Sequence, residues 1–236
     1  MARILIVDDD AGIRDAVSFY IRKEGYDVVA VSDGVEALRV YQEGDFDLVI
    51  LDIMMPGHGG FEVCSAIRDK DPRIPVIFLS VKDNLIDKKL GFKLGADDYI
   101  TKPFEPTELV LRVNSCLRRG QYSPSGASLE AQGGEPGEEG VIVLGDLRID
   151  TNTRSVSVSD RRIDLTAKEY DILLLLAQSP NTVFTRQQIL DEVWGAYYGN
   201  AGIVAVFMRK LRQKIEADAS KPTHILTEWG VGYRIV

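Results

Sequence analysis

Four apolar runs in this chain end on groups that can do chemistry. Leu48-Val49-Ile50-Leu51 ends on Asp52 and is followed by Ile53-Met54-Met55-Pro56-Gly57. Arg3–Val7 runs into Asp8, Asp9 and Asp10, Pro75–Leu79 into Ser80, and Asp98–Thr101 into Lys102-Pro103. Clustered carboxylates repel one another and need a cation. Hard oxygen ligands with no His or Cys among them suit Mg²⁺, which keeps several waters and also binds phosphate oxygens. Asp8, Asp9 and Asp52 can supply that site. Asp52 can itself attack phosphorus to give an acyl phosphate. Lys102 can neutralise the third charge of the incoming group, and Ser80 can donate one hydrogen bond to it. Singly, each residue is ordinary: acids fill turns, Ser ends strands, Lys-Pro starts loops, and Asp10 reads as a helix N-cap rather than a ligand. Their joint occurrence at core-strand ends, where open α/β sheets bind ligands, points to a metal-assisted phosphoryl site.

The elements that must position these groups alternate. Ile4–Val7 reads as a strand, and Ile13, Ala16, Val17, Tyr20 and Ile21 recur at helical spacing up to a stop at Gly25. Val28–Val31 is a second strand, Val35–Tyr41 a helix, and Phe61–Arg68 another helix between the short apolar runs of buried parallel strands. Lys88–Leu94 reads as helix, Tyr99–Ile100 as a short strand, and Pro106–Arg119 as a helix with Pro at its start. Strands alternating with helices imply a doubly wound, five-stranded parallel sheet over residues 1–120. Residues 121–140, rich in Ser, Gly, Pro and Glu, read as a flexible linker whose ends would lie roughly 25 Å apart on average. Residues 141–236 form a smaller α+β domain. Val141–Leu165 alternates like short antiparallel strands, and Thr166 with Glu169 looks like a capping box. Thr185–Val193 is a second helix with a Thr cap, Val204–Glu216 a third, and His224–Val236 a hairpin around Gly230 and Gly232. Three helices followed by a hairpin describe a winged helix.

Bulk properties bound the function. The 236 residues are 45% hydrophobic, with no stretch near membrane-spanning length and too short an N-terminal apolar run for a signal peptide. A cytoplasmic globular protein is expected. Cys64 and Cys116, each between apolar neighbours, read as reduced core residues. The net charge of −8 argues against a uniformly basic nucleic-acid binder, but it divides unevenly. Residues 1–120 carry −5, the linker −4 and residues 141–236 +1, and a near-neutral module still binds DNA if its cations share one face. His58 and His224 are lone histidines without a catalytic role.

Residues 1–120 resemble the receiver domain of bacterial two-component response regulators. The resemblance is carried by Val7-Asp8-Asp9-Asp10, Leu51-Asp52-Ile53-Met54-Met55-Pro56-Gly57, Leu79-Ser80 and Gly95-Ala96-Asp97-Asp98-Tyr99-Ile100-Thr101-Lys102-Pro103-Phe104. With the winged helix, the whole chain outside the linker resembles the OmpR/PhoB subfamily of transcription factors. The resemblance implies a flavodoxin-like receiver in which Asp52 accepts a phosphoryl group from a sensor histidine kinase. It implies Mg²⁺ held by Asp9, Asp52 and the Met54 carbonyl, with Asp8 nearby. It further implies Ser80 and Tyr99 as a switch pair and a cis Lys102-Pro103 bond. Val81 departs from the smaller residue usual after Ser80 and could slow donor entry or water attack.

The resemblance also implies a homodimer formed on phosphorylation through the helix–strand–helix face after Ser80. Matching positions offer Lys88 to Glu108, Asp97 to Arg112 and Asp98 to Arg119 across two chains, with Phe92 and Val110 as apolar centre. Exposed pairs contribute only about 0–1 kcal/mol each, so weak, phosphate-dependent pairing is expected. The third helix of the winged domain is the expected major-groove reader, with Arg209, Lys210, Arg212 and Lys214 reaching double-stranded promoter DNA, and Val204, Met208, Leu211 and Ile215 facing the core. By resemblance Trp194, Thr227 and Tyr233 touch phosphates or the minor-groove edge. Gly202, Ile203, Ala205 and Phe207 replace residues that relatives use at the start of that helix, and Trp229 stands where the wing tip often has Arg. Whether Trp229 packs on sugar rings or in the core is open.

The expectation is a DNA-binding response regulator, not a turnover enzyme, that promotes its own Mg²⁺-dependent phosphorylation and slow dephosphorylation. RNA polymerase is a further candidate partner, and no membrane is involved. A phosphotransferase or phosphatase would leave the winged helix unexplained. A flavin binder would lack a phosphate loop after the first strand, and an acidic crevice would repel its phosphate. A protein-binding winged helix is the remaining rival. The arrangement of the unphosphorylated domains is left open by so long a linker.

Overall fold

In the computed structural model the described residues are 1–56, 59–80, 95–117, 140–195 and 201–236. The expected helix at 88–94, the linker up to residue 139, and His58, Val81, Lys88, Phe92 and Arg119 lie outside them.

The first module is built on β1 (Arg3–Val7), β2 (Asp27–Val31), β3 (Leu48–Asp52), β4 (Val76–Ser80) and β5 (Asp98–Thr101). They form one all-parallel sheet in the order β2-β1-β3-β4-β5. Side chains alternate across a strand, so each strand feeds two cores. Ile4, Ile6, Leu48, Ile50, Ile77, Leu79 and Ile100 face α1 (Ala11–Lys23) and α4 (Pro106–Leu117), meeting Val17, Ile21, Leu109 and Val113. Leu5, Val7, Val49, Leu51, Val76 and Phe78 face α2 (Gly34–Glu43) and α3 (Gly60–Lys70), meeting Ala37, Val63, Cys64 and Ile67. Burial on both faces explains why β3 and β4 read as unbroken apolar runs. The strand order reverses beside β1, and the crevice at the carboxyl ends of β1 and β3 holds Asp8 and Asp52.

The second module begins with an antiparallel sheet of β6 (Val141–Leu144), β7 (Leu147–Asp150), β8 (Ser155–Val158) and β9 (Arg161–Ile163). Three helices follow: α5 (Ala167–Ala177), α6 (Arg186–Trp194) and α7 (Gly202–Ile215). Thr166 and Thr185 each close a capping box, with Glu169 and Gln188 three residues on. The short β10 (Phe184–Thr185) pairs with β12 (Gly232–Ile235), which pairs with β11 (Ile225–Glu228) to make the wing. No described helix is long and apolar enough to cross a membrane. The α2/α3 side of the first core is continuous with the core of the second module.

Candidate functional site

The carboxyl ends of β1, β3 and β5 place three groups in contact. Lys102 Nζ donates to Asp8 Oδ2 at 2.6 Å and to Asp52 Oδ2 at 2.9 Å. Ligand oxygens of Asp8, Asp9 and Asp52 all lie within 4.8 Å of one another. Asp8 and Asp52 are buried, while Asp9 is exposed at the mouth. Burial pushes the Asp8 carboxyl above its usual pKa, against the opposing hydrogen bond and charge of Lys102. Burial also works against the Lys102 ammonium, but its bonds to Asp8 and Asp52 outweigh it and hold its pKa above the usual value. Two buried carboxylates and one exposed one, all oxygen donors, fit a hard divalent cation better than a soft one.

Local structure holds these groups in place. Asp10 caps α1, accepting from Ile13 N at 3.1 Å, so it is a structural acid as its position suggested. Asp8 Oδ1 accepts from Asp10 N (3.0 Å) and Asp52 Oδ1 from Met54 N (3.3 Å). The Met54 side chain is exposed. Lys102 N donates to Ser80 O at 2.6 Å, tying the lysine to the end of β4, and the Lys102-Pro103 bond is cis. Ser80 and Tyr99 are both buried, on β4 and β5.

Two supporting residues escaped the sequence reading. Arg14, one turn into α1, donates through Nη1 to the carbonyls of Asp8 (2.7 Å) and Asp9 (3.0 Å), clamping the turn that presents both acids. Gly60 opens α3 so close to the end of β3 that a Cβ there would lie 2.1 Å from Asp52 O. Nothing in the local pattern distinguishes Arg14 from a solvated helix residue. Gly60 was hidden in a glycine pair after a turn.

The expected DNA-reading residues are placed unevenly. Arg209 is exposed on α7. Arg212 bonds to Ile225 O and Thr227 Oγ1 (both 2.7 Å), fixing the wing to the helix. Lys214 bonds to Asp164 O (2.9 Å) and Glu169 Oε2 (2.6 Å). Lys210 is mostly covered, and burial lowers its pKa against the raising charges of Glu169 and Asp97. Trp194 is buried and donates from Nε1 to Asp97 O at 3.1 Å, and Tyr233 is buried in the wing. Val204, Met208, Leu211 and Ile215 face the core. So do Ile203 and Phe207, the latter packing edge-on against Trp194 at 5.1 Å. Gly202 and Ala205 are exposed. Trp229 is 91% exposed at the wing turn, which excludes core packing for it.

On the expected pairing face, Arg112 engages its own chain, reaching Asp98 Oδ1 (2.9 Å) and Glu108 Oε1 (2.5 Å). Asp97 is fully buried, accepting from Arg68 Nη2 (2.6 Å), Val76 N (3.0 Å) and Lys168 N (3.1 Å). Val110 is half-buried. Cys64 and Cys116 are buried free thiols, and burial pushes the Cys64 pKa up to about 11.

Residues 4–114 match the response regulator receiver domain family, and residues 160–235 match the C-terminal domain of transcriptional regulatory proteins. The chain is 42% identical to the uncharacterised transcriptional regulatory protein YcbL of Bacillus subtilis, over 98% of this chain and 99% of that one. It is 39% identical to the sensory transduction protein RegX3 of Mycobacterium tuberculosis, over 100% and 99% of the two chains. Among solved structures, DrrB, an OmpR/PhoB homologue from Thermotoga maritima, is 34% identical with a TM-score of 0.52, covering 100% of this chain and 99% of that one. A mutant of RitR is 26% identical with a TM-score of 0.74 over the same shares.

Proposed function

This chain belongs to the OmpR/PhoB-type response regulators of two-component systems, a receiver joined to a DNA-binding transcriptional regulatory domain, and from that premise we propose that Asp52 is its phosphoryl acceptor and α7 its promoter reader. The observation that carries the first half is the bridging of Asp8 and Asp52 by the Lys102 ammonium, with Asp9 beside them. An Asp52 carboxylate oxygen attacks the phosphorus of a kinase phosphohistidine. The P–N bond breaks, the imidazole leaves with its electron pair, and an acyl phosphate remains on Asp52. Lys102 meets the charge on the transferred group, and Ser80 offers its hydroxyl to a phosphoryl oxygen. Mg²⁺, held by Asp9, Asp52 and the Met54 carbonyl with Asp8 close by, would supply charge neutralisation when bound.

The remainder of the reading concerns output. Ser80 and Tyr99 sense the phosphoryl group, and the receiver then pairs with a second copy through Asp97, Asp98, Glu108, Val110 and Arg112, with Lys88, Phe92 and Arg119 outside the described residues. Two winged helices are thereby brought together on repeated half-sites in cytoplasmic promoter DNA. Arg209, Lys210, Arg212 and Lys214 on α7 face the DNA, with Trp194, Thr227 and Tyr233 beside them. RNA polymerase is the natural downstream partner. The acyl phosphate is lost by slow hydrolysis at the same site, so the protein is a switch rather than a turnover enzyme.

The test is intact mass after incubation with Mg²⁺ and acetyl phosphate, beside Asp52→Asn. A single phosphoryl adduct lost in the variant is expected. An adduct that persists in Asp52→Asn would overturn the assignment.

A further inference from the structure

We propose that Met54 is a modification site: its thioether takes one oxygen atom from a peroxide, and the sulfoxide so formed slows phosphoryl acceptance at Asp52. The inference rests on Asp52 as the acceptor, but the place of oxidation stands on the exposure and anchoring of Met54 alone.

The chain has six sulfur-bearing residues, four Met and two Cys. Met54 is 68% exposed, whereas Met55 is 8% and Met208 1% exposed, and Cys64 and Cys116 are buried. Burial pushes the pKa of both thiols up, so neither offers the thiolate that would attack a peroxide. Met1 is exposed too, but it precedes β1 at the end of the strand opposite Asp8. Met54 is held beside Asp52. Its neighbours Ile53 and Met55 are both buried, Ile53 N donates to Leu79 O at 3.1 Å, and Gly60 N donates to Ile53 O at 3.1 Å. Met54 N itself donates to Asp52 Oδ1 at 3.3 Å. The backbone is thus pinned around an outward-facing side chain two residues from the reacting carboxylate. Single exposed apolar side chains are ordinary on a protein surface. This one follows the strand that brings Asp52 into the cluster with Asp8 and Asp9.

The oxidation is a two-electron step. A sulfur lone pair attacks one oxygen of hydrogen peroxide, an S–O bond forms and the O–O bond breaks. The second oxygen leaves as water once a proton has passed to it, so the thioether is oxidised and the peroxide reduced. The product changes the mouth of the site. A thioether is a weak acceptor and a soft ligand, poorly matched to a hard cation. A sulfoxide is polar, with the negative end of its dipole on oxygen. The site already gathers three acids against one ammonium. A phosphoryl donor is itself an anion, so a further negative oxygen at the entrance opposes its approach. Because the Met54 side chain lies outside the core, the added oxygen leaves packing intact, unlike the same change at Met55 or Met208. Reductases that remove the oxygen restore the thioether, so the modification is reversible.

The test uses the full chain and hydrogen peroxide. Tandem mass spectrometry of digests, which separates Met54 from Met55, is expected to find oxygen first on Met1 and Met54, with Met55 and Met208 untouched and far-UV circular dichroism unchanged. Phosphorylation by acetyl phosphate and Mg²⁺, read by intact mass, is then expected to slow about five-fold. It should recover after treatment with methionine sulfoxide reductases of both epimer specificities and a thiol reductant. Met54→Leu, compared with its own untreated form, should lose this peroxide sensitivity while Met1 still oxidises, which removes Met1 as the cause. Met54→Gln, which sets a carbonyl dipole at a similar distance without oxidation, should accept the phosphoryl group more slowly than Met54→Leu. Oxygen on Met55 or Met208 ahead of Met54 would overturn the site. Equal phosphorylation rates before and after full oxidation of Met54, or slowing that persists in Met54→Leu, would overturn its effect. An untreated chain that accepts no phosphoryl group would instead overturn the Asp52 assignment and this inference with it, which distinguishes the two failures.

Discussion

Asp8 and Asp52 share one ammonium, and the carbonyls beneath Asp8 and Asp9 share one guanidinium. Lys102 was legible because it ends a strand beside a proline, in a fold whose chemistry sits at strand ends. Arg14 was not, because a cation in the first turns of an amphipathic helix looks the same whether it points to water or back over the preceding turn. Its geometry leads to a specific expectation. With Arg14→Gln the carbonyls of Asp8 and Asp9 lose their shared donor and the acidic turn loosens, weakening Mg²⁺ binding on the order of ten-fold, as removal of a residue that orients metal ligands commonly does. Calorimetric titration at fixed ionic strength measures this, and Arg14→Lys should recover only part of the loss because a point charge cannot match the fork. Unchanged affinity in Arg14→Gln would show that the turn needs no clamp. Lys168 gave no signal in the sequence for a related reason. It sits inside a well-formed Thr166–Glu169 capping box, which accounts for the local pattern completely and gives no hint that the next module covers the lysine.

Among elements, the parallel strands and capped helices were legible because their signals are local: unbroken apolar runs, Thr caps and 3.6-residue periodicity. The short β10 was not, because a two-residue strand exists only through its partner. A Cβ at Gly232 would lie 1.9 Å from Phe184 O, so Gly232→Ala should push β10 off the wing and cost about 1–3 kcal/mol in urea unfolding. The loop entering β11 depends on a single acid. Glu216 accepts from Thr223 N (2.8 Å), from His224 N through both oxygens (3.1 Å each) and from Ile225 N (2.9 Å), and its Oε2 lies 3.1 Å from His224 Nδ1. Burial alone would raise its pKa, but the backbone N–H bonds outweigh burial and lower it. A carboxyl lowered in the folded state stabilises the fold above its unfolded pKa, and that contribution is lost as pH falls through the unfolded value and then the folded one. The melting temperature of the winged-helix module should therefore fall from pH 5 toward pH 3, and Glu216→Gln should be less stable at pH 7 with a flatter acid slope. Parallel slopes for the two proteins would remove Glu216 as the cause.

At the scale of the whole molecule, two domains were legible from a change of pattern near residue 140, but their contact was not. Domain docking has no sequence period. It arises here from Asp97, Ser115, Lys168 and Trp194, which lie far apart in the chain and each of which reads plausibly as something else. The linker composition left the arrangement of the domains open, and the described modules share a continuous apolar core. Independent domains would unfold in separate steps, but modules that share buried surface lose part of their stability together. Scanning calorimetry of the unphosphorylated chain near neutral pH is therefore expected to give one dominant transition whose van't Hoff and calorimetric enthalpies agree. Ser115→Arg, which alters the contact and neither module's own core, should split it into two, the less stable module moving to lower temperature because it loses the stabilisation of its neighbour. Two transitions already present in the parent, and unmoved by Ser115→Arg, would mean that the shared core carries no cooperative free energy and that the domains are linked only by the chain between them.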